Sequence, residues 1–96
     1  MQVRHSTNPK DAKHYDTKRL RDEYLIESLM EQDQLNLVYS QIDRVITGGA
    51  VPVTTSLTLA AGDALRATSF LQRRELGIIN VGGDGVVTVG DTEYSL

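Results

Sequence analysis

Three consecutive charged residues, Arg73-Arg74-Glu75, stand directly before the mostly apolar run Leu76-Gly77-Ile78-Ile79-Asn80-Val81. In a strand, Arg73 and Glu75 share one face and Arg74 points to the other. A guanidinium fork matches a carboxylate, so this triplet has the chemistry to grip an anionic substrate. It serves equally as an internal ion pair or a contact between subunits. With no other pocket residues in sight, a structural role is the expectation, and the same holds for Asp43-Arg44. Asn80, a lone polar residue in an apolar run, is expected to satisfy a turn backbone rather than to catalyse.

The two histidines, His5 and His14, offer the only imidazoles, with Asp11 and Asp16 as further candidate metal ligands. Their spacing matches neither a helical nor a strand ligand pair, and metal sites usually sit on rigid scaffolds. Exposed histidines are expected. Gly83-Asp84-Gly85 follows an apolar run as a phosphate-cradling loop would, but a valine-rich segment follows where such a loop opens a helix. A structural turn is the better reading. No Ser-His-Asp set, carboxylate dyad or ligand cluster assembles from the remaining residues. The expected sets of catalytic, cofactor-binding and metal-binding residues are therefore all empty.

Composition excludes more than it identifies. Ten Lys plus Arg against 13 Asp plus Glu give a net charge of −3, which disfavours a phosphate-binding surface. Four tyrosines and one phenylalanine, unclustered, provide no stacking platform for single strands. Cysteine is absent, so a disulfide framework, a thiolate zinc site and a cysteine nucleophile are excluded. No apolar run approaches the ~20 residues that span a bilayer, and no signal-peptide pattern opens the chain. A soluble cytoplasmic protein without nucleic-acid or membrane partners is the default expectation.

The elements that would position these residues read as mainly β. Residues 1–16 are polar and lack periodicity, as an N-terminal arm would be, and residues 17–96 form the candidate domain. Asp16 precedes a short helix over Lys18 to Glu23. Leu20 to Met30 fits both helical and alternating spacing, and a helical turn followed by a strand is expected there. Glu31 to Gln34 is a polar turn, after which Leu35, Leu37 and Tyr39 share a strand face. The apolar phase then slips across Ser40 to Ile46, as at a bulge, and Gly48-Gly49 should end the element. Val53, Thr55, Leu57 and Leu59 alternate with Thr54, Ser56 and Thr58, the clearest one-faced strand pattern. Gly62-Asp63 should break it before a helical turn at Ala64 to Thr68.

Leu76 to Leu96 reads as three strands: Leu76–Val81 buried on both faces, Val86–Val89, and Thr92–Leu96. Gly82-Gly83-Asp84-Gly85 is expected to reverse the chain through positive-φ positions, and Gly90-Asp91 is a two-residue hairpin turn. This order suits the wall of a small antiparallel barrel or sandwich. Ending inside the third strand, such a wall leaves an open edge, so a fragment or partner-dependent half-domain is expected.

Three segments together resemble one family. They are Asp16-Thr17-x-x-Leu20-Arg21-x-Glu23-Tyr24-Leu25-Ile26-Glu27, then Val38-Tyr39-Ser40-Gln41-Ile42-Asp43-Arg44-Val45-Ile46-Thr47-Gly48-Gly49 with Pro52 close behind, and Phe70-Leu71-Gln72-Arg73-Arg74-Glu75-Leu76-Gly77-Ile78-Ile79-Asn80-Val81-Gly82-Gly83. These segments resemble the N-terminal part of the 5-keto-4-deoxyuronate isomerases, also called 4-deoxy-L-threo-5-hexosulose-uronate ketol-isomerases, over essentially the whole chain. The resemblance implies two consecutive cupin-like β-barrels, of which this chain is the incomplete first, and a hexameric assembly. It implies a zinc ion in the second barrel, held by residues with no counterpart here, so no zinc is expected on this chain alone. Arg73 and Glu75 lie near where a metal-binding cupin places its histidine pair. The implied activity is aldose–ketose isomerisation of a sugar acid from pectin breakdown, with a base moving a proton between adjacent carbons and a metal polarising the oxygens. A non-enzymatic β module for sugar-acid binding or subunit assembly is the alternative.

Overall fold

The computed structural model describes all 96 residues, Met1–Leu96. Strands dominate, in two separate sheets that do not close into a barrel, with two short helices. This is the mainly β, incomplete architecture expected from the sequence.

The first sheet has three strands, β1 (Gln2–Arg4), β2 (Leu35–Ser40) and β3 (Val45–Ala50), in the order β1-β2-β3. β2 and β3 are antiparallel, with Ser40 opposite Val45 and Leu35 opposite Ala50. The residues between them make a four-residue turn, not the bulge expected from the phase slip. Arg44 closes that turn in the left-handed region at φ 55°, as four-residue hairpin loops built on a type I turn commonly do. Gly48 and Gly49 lie inside β3 rather than ending it, because each faces something that leaves no room for a side chain. A Cβ on Gly49 would sit 2.5 Å from the Leu29 carbonyl oxygen, and one on Gly48 would sit 2.8 Å from the Asn36 carbonyl oxygen. Part of the expected arm is in the sheet: Gln2, Val3 and Arg4 pair in parallel with Val38, Tyr39 and Ser40.

Two helices follow β1. α1 (Pro9–Ala12) begins with Pro at its first position and is capped by Asn8, whose side chain accepts from the Lys10 amide at 2.9 Å. α2 (Thr17–Tyr24) starts where expected, with the Asp16 carboxylate accepting from the Arg19 amide at 2.8 Å. Ion pairs Lys18–Asp22 at 2.6 Å and Arg19–Glu23 at 3.9 Å lie along it at i,i+4 spacing. At such exposure, screening by water leaves each pair contributing little to stability. After Tyr24 the chain becomes irregular, and no strand forms before Met30.

The second sheet is a hairpin of β4 (Val86–Val89) and β5 (Thr92–Ser95), with Val89 opposite Thr92. Gly90 takes φ 60° while Asp91 does not, the pattern of a type II′ turn led by glycine. Reciprocal bonds between Gly85 and Leu96, at 3.2 and 2.8 Å, carry the ladder one pair further. Gly82, Gly83 and Gly85 do not use the left-handed region expected of them.

The two strongest strand patterns upstream of this hairpin form no strands. Val53 to Leu59 and Leu76 to Val81 are irregular. No backbone amide or carbonyl from Leu76 to Val81 has a backbone partner, and Ile79 and Val81 are 87% and 78% exposed. A strand is a relation between neighbours, and these runs have none in the molecule. Burial is correspondingly sparse: Val38, Gly49, Ala61, Leu65 and Phe70 are the five buried residues. The surface of 7703 Å² compares with about 5,500 Å² for a folded monomer of this mass. The radius of gyration of 15.7 Å compares with about 12.5 Å for a compact chain of this length.

Candidate functional site

Alternation along the sheet sorts its side chains onto two faces. Arg4, Asn36, Val38, Ser40, Val45, Thr47 and Gly49 share one face, and Leu35, Leu37, Tyr39 and Ile46 share the other. The first face forms the floor of an open groove of about 440 Å³, lined by Arg4, Ser40, Val45 and Thr47 from the strands. Glu23, Tyr24 and Ile26 wall it on the helix side, and Ile42 and Asp43 come from the β2–β3 turn.

Local contacts hold the groove together. The Gln41 amide donates to the Arg4 carbonyl at 2.9 Å, and His5 Nδ1 donates to Gln41 Oε1 at 2.8 Å. The Thr7 hydroxyl and the Tyr24 phenol hydrogen-bond each other, tying the end of α2 to the segment after β1. The Asn36 side-chain amide donates to the carbonyls of Ser28 and Leu29 at 3.2 and 3.4 Å, strapping residues 28–31 across Gly49. Within the groove, Arg4 Nε and Nη1 are buried without a hydrogen-bond partner. Buried guanidinium nitrogens are rarely left so, and the carboxylates of Glu23 and Asp43 line the same groove. The arrangement suits a hydroxylated or carbonyl-bearing ligand better than a bare anion, which two carboxylates would repel.

Most sequence-highlighted residues are elsewhere. Arg74 lies over the Tyr39 ring, 5.6 Å from its centroid, on the opposite sheet face. Arg73, Glu75, Asp43 and Arg44 enter no ion pair, so of the two structural roles open to the triplet, the internal ion pair does not form. Asn80 does serve a turn: its amide donates to the Gly83 carbonyl at 2.9 Å, and its oxygen accepts from the Gly82 amide at 3.0 Å. His5 is engaged with Gln41. His14 and Asp16 line an open dish with Lys18 and Arg19, whose cations oppose a metal ion. No group of three His, Asp or Glu side chains is arranged to hold a metal ion. This chain's own residues do not fit the zinc that the family resemblance implies.

One residue stands out in the structure but not in the sequence. Asp33, inside the expected polar turn, takes φ 55°, and its carboxylate accepts from the amides of Val53 and Thr54 at 2.8 Å each. It also accepts from the Thr54 hydroxyl at 2.6 Å and the Thr55 amide at 3.3 Å. The Thr54 hydroxyl first, then the backbone amides, hold this carboxyl well below the ordinary carboxylate range. The clue in the sequence is an Asp in a turn, a residue that tolerates positive φ, facing a Thr-Thr pair across 20 residues. Nothing in the sequence indicates that the two should meet.

No family profile matches the chain. Curated relatives do, over nearly its whole length. The chain is 57% identical over all 96 residues to a 4-deoxy-L-threo-5-hexosulose-uronate ketol-isomerase of Lachnoclostridium phytofermentans. It is 52% identical over 95 residues to one of Bacteroides fragilis and 53% identical over 96 residues to one of Bacillus licheniformis. It spans only 34–35% of the length of each. No helix is long and apolar enough to cross a membrane. Such identity along the entire chain makes it a relative of the 4-deoxy-L-threo-5-hexosulose-uronate ketol-isomerases over about a third of their length.

Proposed function

We propose that the chain is the N-terminal portion of an aldose–ketose isomerase that converts 5-dehydro-4-deoxy-D-glucuronate to 3-deoxy-D-glycero-2,5-hexodiulosonate in pectin and uronate catabolism. It works in the cytoplasm, in a homo-oligomer of bicupin subunits, with the zinc site outside these 96 residues. The reaction needs no net redox partner: a proton leaves one carbon and returns to its neighbour as the carbonyl moves in the opposite sense. The carrying observation is 57% identity over all 96 residues to a protein named for that activity. One feature supports the role of scaffold: the fold leaves large apolar side chains exposed, Ile79 and Val81 among them.

The test joins this chain in line to the unmatched two-thirds of the Lachnoclostridium phytofermentans relative. Its conversion of the keto-deoxyuronate is then followed by diode-array absorbance and product chromatography. Activity within tenfold of the relative supports the proposal, and a folded joined protein with none refutes it. One zinc per molecule on the unjoined chain after dialysis would also count against a metal site outside it. The unpartnered guanidinium of Arg4 favours a second reading, a sugar-acid binding module. Saturable calorimetric binding of galacturonate by the unjoined, monodisperse chain, abolished by Arg4→Gln, would favour that reading instead.

A further inference from the structure

We infer that Arg4 and Glu23 are the two halves of a latch that closes the groove: the Arg4 guanidinium turns onto the Glu23 carboxylate and draws the end of α2 towards the three-stranded sheet. The structure shows the open state. Arg4 Nε and Nη1 are buried there without a hydrogen-bond partner, and neither Glu23 nor Asp43 is within ion-pair distance of them. The atoms that bury these nitrogens belong to this chain itself, so further polypeptide laid over the groove would not reach them. Relief has to come from movement of the arginine. Buried donors left unmet are costly and rare, and a long, unbranched side chain has other staggered positions to take.

Two carboxylates line the groove, and they are not equivalent. Glu23 is the penultimate residue of α2, where the unpaired carbonyls of the last turn disfavour an anion and favour a cation beside it. Its side chain is only 31% exposed, and its present partner Arg19 stands at the limit of contact, 3.9 Å away. Asp43 is exposed on the β2–β3 turn, where water already solvates its charge and an ion pair adds little. Local tethers also bring the two halves of the latch together. Tyr24, next to Glu23, hydrogen-bonds to Thr7, a few residues beyond Arg4. Arg4 itself is fixed to the sheet opposite Ser40, and its carbonyl accepts from the Gln41 amide at 2.9 Å. With both backbones held, side-chain rotation and a small approach of α2 are enough. A charge-assisted guanidinium–carboxylate contact then satisfies donors that water does not reach. The latch lies wholly within these 96 residues and does not depend on the reaction assigned above.

Arg4→Met and Glu23→Met, singly and together, test the latch by urea unfolding of the chain. If the latch closes, each single substitution destabilises, and the double variant is more stable than the product of the two losses by about tenfold in the folding equilibrium. If the guanidinium simply stays orphaned, Arg4→Met removes an unmet buried charge and leaves stability unchanged or raised, which overturns the inference. Selective 15N-arginine labelling supplies a second readout in both the chain and the joined protein, and it stands even where Arg4→Met fails to fold. The Arg4 Nε–H should show a nuclear Overhauser contact to the Glu23 side chain. Glu23→Met should shift that resonance and speed its hydrogen exchange about tenfold, while Asp43→Asn leaves both unchanged. The inference fails if Glu23→Met leaves the resonance where it was, or if Asp43→Asn moves it instead. It fails equally if the dependence on Glu23 is seen in the chain alone and vanishes in the joined protein.

Discussion

Replacing Gly49 by alanine asks whether the strap over the first sheet is a fixed part of the fold. The added methyl would lie 2.5 Å from the Leu29 carbonyl oxygen and 2.9 Å from both the Leu29 carbonyl carbon and Met30 Sδ. Ordinary contact starts near 3.4 Å, so the strap must retreat by about 0.9 Å. Backbone, unlike a flexible side-chain tip, has little freedom to move. Overpacking of this kind costs about 1–3 kcal/mol. The retreat also stretches the Asn36 bonds to Ser28 and Leu29, already 3.2 and 3.4 Å long, and each such bond contributes about 1 kcal/mol. Against this, alanine restricts the unfolded chain and returns about 0.4–1 kcal/mol. The net expectation is a loss of about 2 kcal/mol, a factor of roughly 30 in the folding equilibrium. Urea unfolding followed by circular dichroism measures it, with the Asn36 side-chain amide resonances reporting the strap. Gly77→Ala is the control, since a Cβ there meets nothing within 4 Å. Gly49→Ala unfolding within about 0.5 kcal/mol of the parent, with the Asn36 resonances unmoved, would refute the reasoning.

Asp33 makes the structure acid-sensitive. Its folded-state carboxyl is held below its ordinary value of 3.8, so its contribution is complete above that value and is lost as pH falls through the lower folded one. Protection of amides 53–55 should therefore fall between pH 5 and pH 2 in the parent, and an Asp33→Asn variant should start lower and show little pH dependence. Asp16→Ala removes the cap of α2 and should cost about 1 kcal/mol, read as reduced ellipticity at 222 nm, while Asp16→Asn keeps it. Gly90→Val forces a β-branched residue into φ 60° and should cost about 1–2 kcal/mol, seen as faster amide exchange across the Val89–Thr92 pair.

What could be read from the sequence follows the distance between partners. The α2 cap, the Gly90-Asp91 turn and the Asn80 turn involve residues no more than three apart, and all three form as expected. β2 was legible from the alternation of Leu35, Leu37 and Tyr39. Its reversal into β3 was not, because a turn of Gln-Ile-Asp-Arg carries no glycine or proline signal. The parallel docking of Gln2–Arg4 on β2 depends on contacts 36 residues away, and no local pattern encodes it. The groove was invisible for the same reason: Arg4, Tyr24 and the Ser40–Asp43 stretch come from three separate segments. Arg73 and Glu75 were conspicuous in sequence because they stand two residues apart, which says nothing about whether a partner faces them.

The same distinction separates the elements that form from those that do not. β2 and β3 are joined by four residues and β4 and β5 by two, so closing either hairpin costs little chain entropy. Val53–Leu59 and Leu76–Val81 have stronger strand composition than β5, yet neither has a complementary edge nearby. β propensity measures how well a side chain packs against cross-strand neighbours, and without them it contributes almost nothing. The Asp33 carboxylate shows how the chain manages one such run: it fixes the backbone at 53–55 through hydrogen bonds to three successive residues without making a strand of it. Leu76–Val81 is held only by Arg74, two residues before it, and by its own Asn80 near its far end.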